Sequence, residues 1–173
     1  ICLGEVMNYS GLINGFTRIT SKTSDLKTPQ LIEFLRQLQP LAAIEGHCPS
    51  VRDLDLAKLL YLGVDSDHCL QDIEGIKQRF ANGMFIEIQE KSLSPEIVGY
   101  LQNNNTKGLY SFVTDDVPPD ILADKGHLDY VVRKAMNWGL SLESVIYATS
   151  FAPSQRMGFR DRGKISPGQI ADF

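Results

Sequence analysis

Residues 41–68, LAAIEGHCPSVRDLDLAKLLYLGVDSDH, decide the fold. A short apolar run leads into Glu45, Gly46 and His47, and DLDLAKLLYLG then carries apolar positions at helical spacing up to Gly63. Glycine at that point closes a helix by taking a left-handed conformation. A second short run, GVDSDH, ends at His68. Strand, helix of about ten residues, strand is the pattern of a β-α-β unit, and a right-handed crossover makes its two strands parallel. Both imidazoles then fall on one rim of the sheet, where α/β enzymes assemble metal and catalytic sites.

The same pattern extends in both directions. Upstream, ICLGEVMN is a short apolar run without helical spacing, read as a buried strand that carries Glu5 near its end. A polar, glycine-containing loop is expected next, followed by a helix opened by Thr28 and Pro29, with Leu31, Leu35 and Leu38 on one face and Pro40 at its end. Downstream, QDIEGIKQRFANG places Ile73, Ile76 and Phe80 on one helical face and stops at Gly83; MFIEI is a fourth strand; Ser94 and Pro95 open another helix; GLYSFVT is a fifth strand that runs into Asp115 and Asp116. Two helical stretches follow, GHLDYVVRKAMNWG and SLESVIYATS, then a short third begun by Pro153. The expectation is α/β, with five parallel strands. Five strands do not close an eight-stranded barrel of about 250 residues, so periodicity leaves two architectures open: part of a (β/α)8 barrel, or an open sheet. The nucleotide-binding signatures of open sheets, GxGxxG after a strand and GxxxxGK[ST], are missing, which favours the barrel.

Composition narrows the function classes. The 173 residues are 43% hydrophobic and 22% charged, enough for one core, with no apolar stretch near the roughly 18 residues of a membrane span. A formal net charge of -4 with both signs interspersed supplies no basic face for nucleic acid, so a small uncharged substrate is expected, with neither nucleic acid nor membrane as partner. Three cysteines, Cys2, Cys48 and Cys69, are too few for a disulfide framework and suit a reducing cytoplasm. The run that opens at Ile1 and the one that stops at Phe173 both read as unfinished strands, so a longer polypeptide is expected around the chain.

The chemistry-bearing residues stand at the ends of the apolar runs. His47 and His68, two of only three histidines, follow such runs directly and are suited to a first-row metal. A lone histidine there serves equally well as a loop hydrogen-bonding group; two in equivalent positions, near Glu5 and Asp115, favour a metal. Glu5 is the candidate bridging or binding carboxylate. Asp115 is the candidate proton carrier, expected to continue the fifth strand better than Asp116, and Glu90 after MFIEI is a second catalytic candidate. Cys48 and Cys69, each following a histidine, match no zinc spacing and are read as packing residues. His127 is read as a helix-start residue.

LGEVMN, IEGHCP, VDSDH, VTDD, GHLDYVVRKAM and DRGKISPGQIADF, in that order and over nearly the whole chain, resemble the adenine deaminases of the amidohydrolase superfamily. The resemblance implies a distorted (β/α)8 barrel of which residues 1–160 supply roughly strands four to eight, with 161–173 returning into a flanking β-sandwich through a turn at Pro167-Gly168. It implies a binuclear divalent centre, manganese or iron, with zinc as a further choice, and hydrolysis of adenine to hypoxanthine and ammonia. The family's bridging glutamate falls on Glu5, its later metal histidines on His47 and His68, and its last-strand aspartate on Asp115. It also implies a homo-oligomer for the full-length protein. The chain departs from the family's pattern in three places: it has no HxH pair, Gln89-Glu90-Lys91-Ser92 stands where Arg-Glu-Gly-Ser is expected, and Cys69 replaces an acidic residue. Two alternatives follow from the residues: an amidohydrolase for a related cyclic amide or amidine, and a non-catalytic α/β ligand-binding module.

Overall fold

The computed structural model describes residues 3–17, 27–40 and 43–172. Five strands form one parallel sheet: β1 (Leu3–Val6), β2 (Ile44–Gly46), β3 (Ser66–Asp67), β4 (Phe85–Gln89) and β5 (Tyr110–Val113). They lie side by side in chain order, with each strand paired to the next. Right-handed crossovers without a reversal of strand order put the connecting helices on one face, and leave the other face free for polar side chains. The expected α/β fold with five parallel strands is therefore present.

Alternation along each strand sorts the side chains. In β4, Ile86 and Ile88 join a core with Ile97, Val98, Leu101, Tyr110, Phe112 and Val131, whereas Glu87 points to the opposite face. The helices on the apolar side of this half are α4 (Ile73–Ala81), α5 (Pro95–Asn103) and α7 (Leu128–Asn137). A second cluster gathers Leu12, Ile32, Ile44, Leu56 and Leu59 from β2 and from α1 (Tyr9–Thr17), α2 (Lys27–Leu38) and α3 (Asp53–Tyr61), with Val64 from the segment between α3 and β3. Helix ends follow the expected chemistry: Asp72 caps α4 by accepting from the Gly75 amide, and Ser94 caps α5 by accepting from Ile97. Gly63 and Gly83 end helices at φ +101° and +73°.

Several local expectations change. The stretch expected to be a loop after β1 contains α1, whose first turn is held by the Asn8 side chain accepting from the Gly11 amide at 3.0 Å. A Cβ on Gly11 would come within 2.5 Å of that same Asn8 side chain, so the glycine that suggested a loop is what lets the cap fit. Helix α2 starts at Lys27, ahead of Thr28, and buries Ile32 while Leu31 and Leu38 are exposed; the leucine stripe is not its core face. After β5 an unexpected helix, α6 (Pro119–Lys125), precedes α7. The last helical run is α8 (Leu142–Ile146), a π-turn over Tyr147–Phe151, and α9 (Ala152–Arg156). The Pro167-Gly168 turn forms as expected, with Gln169 N donating to Ser166 O at 3.2 Å and Gly168 at φ +82°. No helix among the described residues is long and apolar enough to cross a membrane.

Ile88 is 1% exposed at the centre of the larger core. Ile88→Ala is expected to lower unfolding stability by about 2–5 kcal/mol, measured as a shift in the denaturant midpoint with an unchanged slope.

Candidate metal centre

Three consecutive strands deliver three donor side chains to one point. Parallel register pairs Val6 with Gly46 and Gly46 with Asp67, so the residues that follow β2 and β3 emerge side by side, next to the end of β1. His47 extends this ladder by donating its amide to the Val6 carbonyl at 3.2 Å. Glu5 Oε2 lies 2.9 Å from His68 Nε2 and 3.8 Å from His47 Nδ1, and the two ring nitrogens are 3.3 Å apart. The rings meet edge to face, with centroids 5.2 Å apart. One donor atom from each residue lies within 4.8 Å of the other two, which is close enough for all three to reach one cation. Two imidazoles and a carboxylate form a donor set suited to manganese, iron or zinc, so the residues present fit a divalent metal.

Close approach of the strands requires glycine at position 46. A Cβ there would stand 2.7 Å from the Ser66 carbonyl oxygen and 2.9 Å from Cys48 Sγ. Behind the histidines lies a buried ion pair. Asp67 and Arg79 have no exposed side-chain surface and pair at 2.7 Å. Asp67 Oδ1 accepts the amides of Cys48 and Cys69 at 3.2 and 3.1 Å, while Arg79 Nη2 donates to the Cys48 carbonyl at 2.8 Å. Cys48 and Cys69 are buried free thiols; burial, with Asp67 nearby, pushes the Cys48 thiol up to about 12 and Cys69 higher still. Neutral thiols in such surroundings are packing groups.

Asp115 reaches the same cavity by an unexpected backbone route. β5 ends at Val113, and Asp115 takes φ +55°, a left-handed conformation instead of an extension of the strand. Its carboxylate lines a cavity of about 450 Å³ with Glu5, His68, Glu45, Glu87 and Met157. Gln89 Nε2 donates to Asp115 Oδ2 at 2.6 Å and to the His68 carbonyl at 2.8 Å, joining the β5 end to the β3 end. Glu90 goes elsewhere. Its carboxylate pairs with Lys134, and it lines a neighbouring cavity of about 700 Å³ with Thr114, Asp116, His127 and Tyr130. His127 stands at the start of α7, where its ring meets Thr114 Oγ1 at 3.2 Å.

Sequence reasoning passed over Asp67, Arg79 and Gln89. Asp67 stands in the sequence only as an acid beside a histidine, and Gln89 only within the departure from the expected Arg-Glu-Gly-Ser, yet Gln89 is 4% exposed. It also passed over the acids below the site. Glu45 bonds to Ser66 and to Arg156 Nη2, which pairs with Asp65 as well. Glu87 beside them has one carboxylate oxygen, Oε2, buried without a hydrogen-bond partner. Burial, reinforced by the adjacent Glu45 carboxylate, pushes the Glu87 carboxyl up to about 9.

No protein-family model matches the chain. Curated proteins match along essentially its whole length. It is 44% identical over 172 residues to adenine deaminase 2 of Shouchella clausii, covering 99% of this chain and 29% of the relative. It is 40% identical over 173 residues to an adenine deaminase of Clostridium perfringens, covering 100% and 28%, and 41% identical over 173 residues to adenine deaminase 2 of Oenococcus oeni, covering 100% and 29%. The chain thus spans about three-tenths of the length of the curated relatives it matches.

A carboxyl raised from 4.5 to about 9 holds a proton in the native state that the unfolded chain releases. Its contribution to stability is therefore complete below pH 4.5 and is lost as the pH rises through about 9. Glu87→Gln keeps the shape and removes the titration. Unfolding by denaturant at several pH values between 5 and 9 should show a shallower loss of stability for the variant than for the native sequence.

Proposed function

We propose that this chain is part of an adenine deaminase: a segment of the catalytic domain that supplies metal-binding and proton-transfer groups for hydrolysis of adenine to hypoxanthine and ammonia. The observation that carries the reading is the convergence of Glu5, His47 and His68 at the ends of consecutive parallel strands, in a chain aligned throughout with adenine deaminases. Strand order without reversal supports a barrel arc comprising roughly strands four to eight of a (β/α)8 barrel, because an open doubly wound sheet reverses its order at a switch point. On this reading β1 and β5 pair with strands from the rest of the polypeptide, residues 161–173 lead towards a flanking β-sandwich, and an HxH pair from outside this segment completes a binuclear centre.

Glu5, His47 and His68 would hold a divalent metal, manganese or iron, or zinc. When bound, such an ion supplies the Lewis acidity that makes water a nucleophile near neutral pH. The chain's own residues then handle the proton and the substrate. Asp115 accepts a proton from the attacking water and delivers it to the amino group at C6, so that the carbon gains an oxygen and the nitrogen leaves as ammonia. Gln89 aims the Asp115 carboxylate by holding one oxygen, Oδ2, while Asp115 lines the cavity. Glu90, oriented by Lys134 in the wall of the adjoining cavity, would accept a hydrogen bond from a purine N–H. A free base needs no extrusion from a duplex, in keeping with a net charge of -4. The full-length enzyme is read as a cytoplasmic homo-oligomer.

In the full-length polypeptide, His68→Ala should reduce both bound metal, measured by elemental analysis, and ammonia release from adenine, the latter by at least about 100-fold. Asp115→Asn should retain metal and substrate binding while kcat falls by about 10²–10⁴. Undiminished turnover by His68→Ala, or no ammonia from the native protein, would remove this reading.

A further inference from the structure

We infer that the buried Asp67–Arg79 pair is a positioning device that presets the two imidazoles before any metal arrives; its relevance to metal affinity rests on the reading above. His47 and His68 each precede a cysteine whose backbone amide ends on the same carboxylate oxygen, Asp67 Oδ1, at 3.2 and 3.1 Å. Two chain segments 21 residues apart are thereby tied to one atom immediately after their histidines. The carboxylate is immobilised in turn. Arg79 Nε donates to Asp67 Oδ2 at 2.8 Å, Gln71 Nε2 reaches the same oxygen at 3.3 Å, and Arg79 Nη2 returns to the Cys48 carbonyl. Arg79 belongs to α4, so the clamp also references both strand ends to a helix packed in the core.

The ladder alone supplies little restraint here. β3 has two residues and β2 three. Positions 48 and 69 lie beyond both strands, where backbone polar groups need other partners if they are buried. The planar guanidinium fork meets the carboxylate and the Cys48 carbonyl together, which a lysine ammonium on a flexible stem does not reproduce. The consequence is a 3.3 Å separation of His47 Nδ1 and His68 Nε2 held from behind, with neither ring fixed by its own direct contact to the pair.

The test is Arg79→Lys in the full-length polypeptide, with Ile88→Ala, whose side chain lies in the larger core, as a destabilised control. Zn²⁺ or Mn²⁺ affinity of the metal-free protein is measured by competition with a chelating dye, and amide exchange by NMR or mass spectrometry. Arg79→Lys should weaken metal binding about 10–100-fold and speed exchange at Cys48 and Cys69, while Ile88→Ala leaves metal affinity within about twofold of native. Native affinity in a folded Arg79→Lys protein, or an equal loss in Ile88→Ala, would overturn the inference. If Arg79→Lys does not fold, exchange in the native metal-free protein decides: protection at Cys48 and Cys69 as strong as in the β4 strand supports the clamp, and loop-like exchange refutes it. A native protein that binds no metal removes the proposed function, whereas exchange at these two amides still judges the clamp.

Discussion

A carboxylate and a guanidinium that share no surface with solvent set the geometry of this molecule. Burying two such charges is costly, and removing one partner of a buried pair typically costs 3–5 kcal/mol because the other is left uncompensated. Asp67 and Arg79 meet that cost by satisfying nearly everything around them: two amides, two carbonyls, one glutamine and each other. Strands this short have few ladder bonds of their own. The pair supplies the missing restraint where the sheet gives out.

The sheet divides the molecule into two chemical halves. On one face, Ile44, Ile86, Ile88, Tyr110 and Phe112 meet the helices in two buried clusters. On the other, Glu45, Ser66 and Glu87 sit close together, with Arg156 brought in from α9 to pair with Glu45 and Asp65 and to lie over the Phe85 ring. Two arginines, Arg156 and the Arg36 that also pairs with Asp65, face three acids, and Glu87 relieves the excess by retaining a proton. This cluster lies beneath Glu5 and His68, which line the same cavity as Glu45 and Glu87.

The two cavities separate Asp115 from Glu90, the pair read from the sequence as catalytic candidates. Neighbouring aspartates go to different spaces, Asp115 with Glu5 and His68, and Asp116 with Glu90 and His127. Strand alternation does not decide this, because β5 ends at Val113 and Asp115 sits in a left-handed turn. Gln89 and Glu90 likewise part at the end of β4, the first towards Asp115 and the second towards Lys134. At the end of β5 the two cavities are thus lined by consecutive residues, Asp115 and Asp116.

Much of this was legible in the amino-acid order. Short apolar runs, helical spacing and terminal glycines determined the strands, most of the helices and their parallel arrangement, because these signals act over a few residues and depend on backbone sterics and local burial. The same signals put Glu5, His47, His68 and Asp115 at strand ends. They misread α1, where Gly11 serves a cap, and α2, where Ile32 is buried and Leu31 and Leu38 face outwards. Only the tertiary structure decided that Glu5 and the two imidazoles meet within 4.8 Å, that Asp67 is bound to Arg79, and that Glu90 turns to Lys134. Each depends on strand register and on a partner 12 to 63 positions away, quantities that side-chain identity and local spacing do not encode.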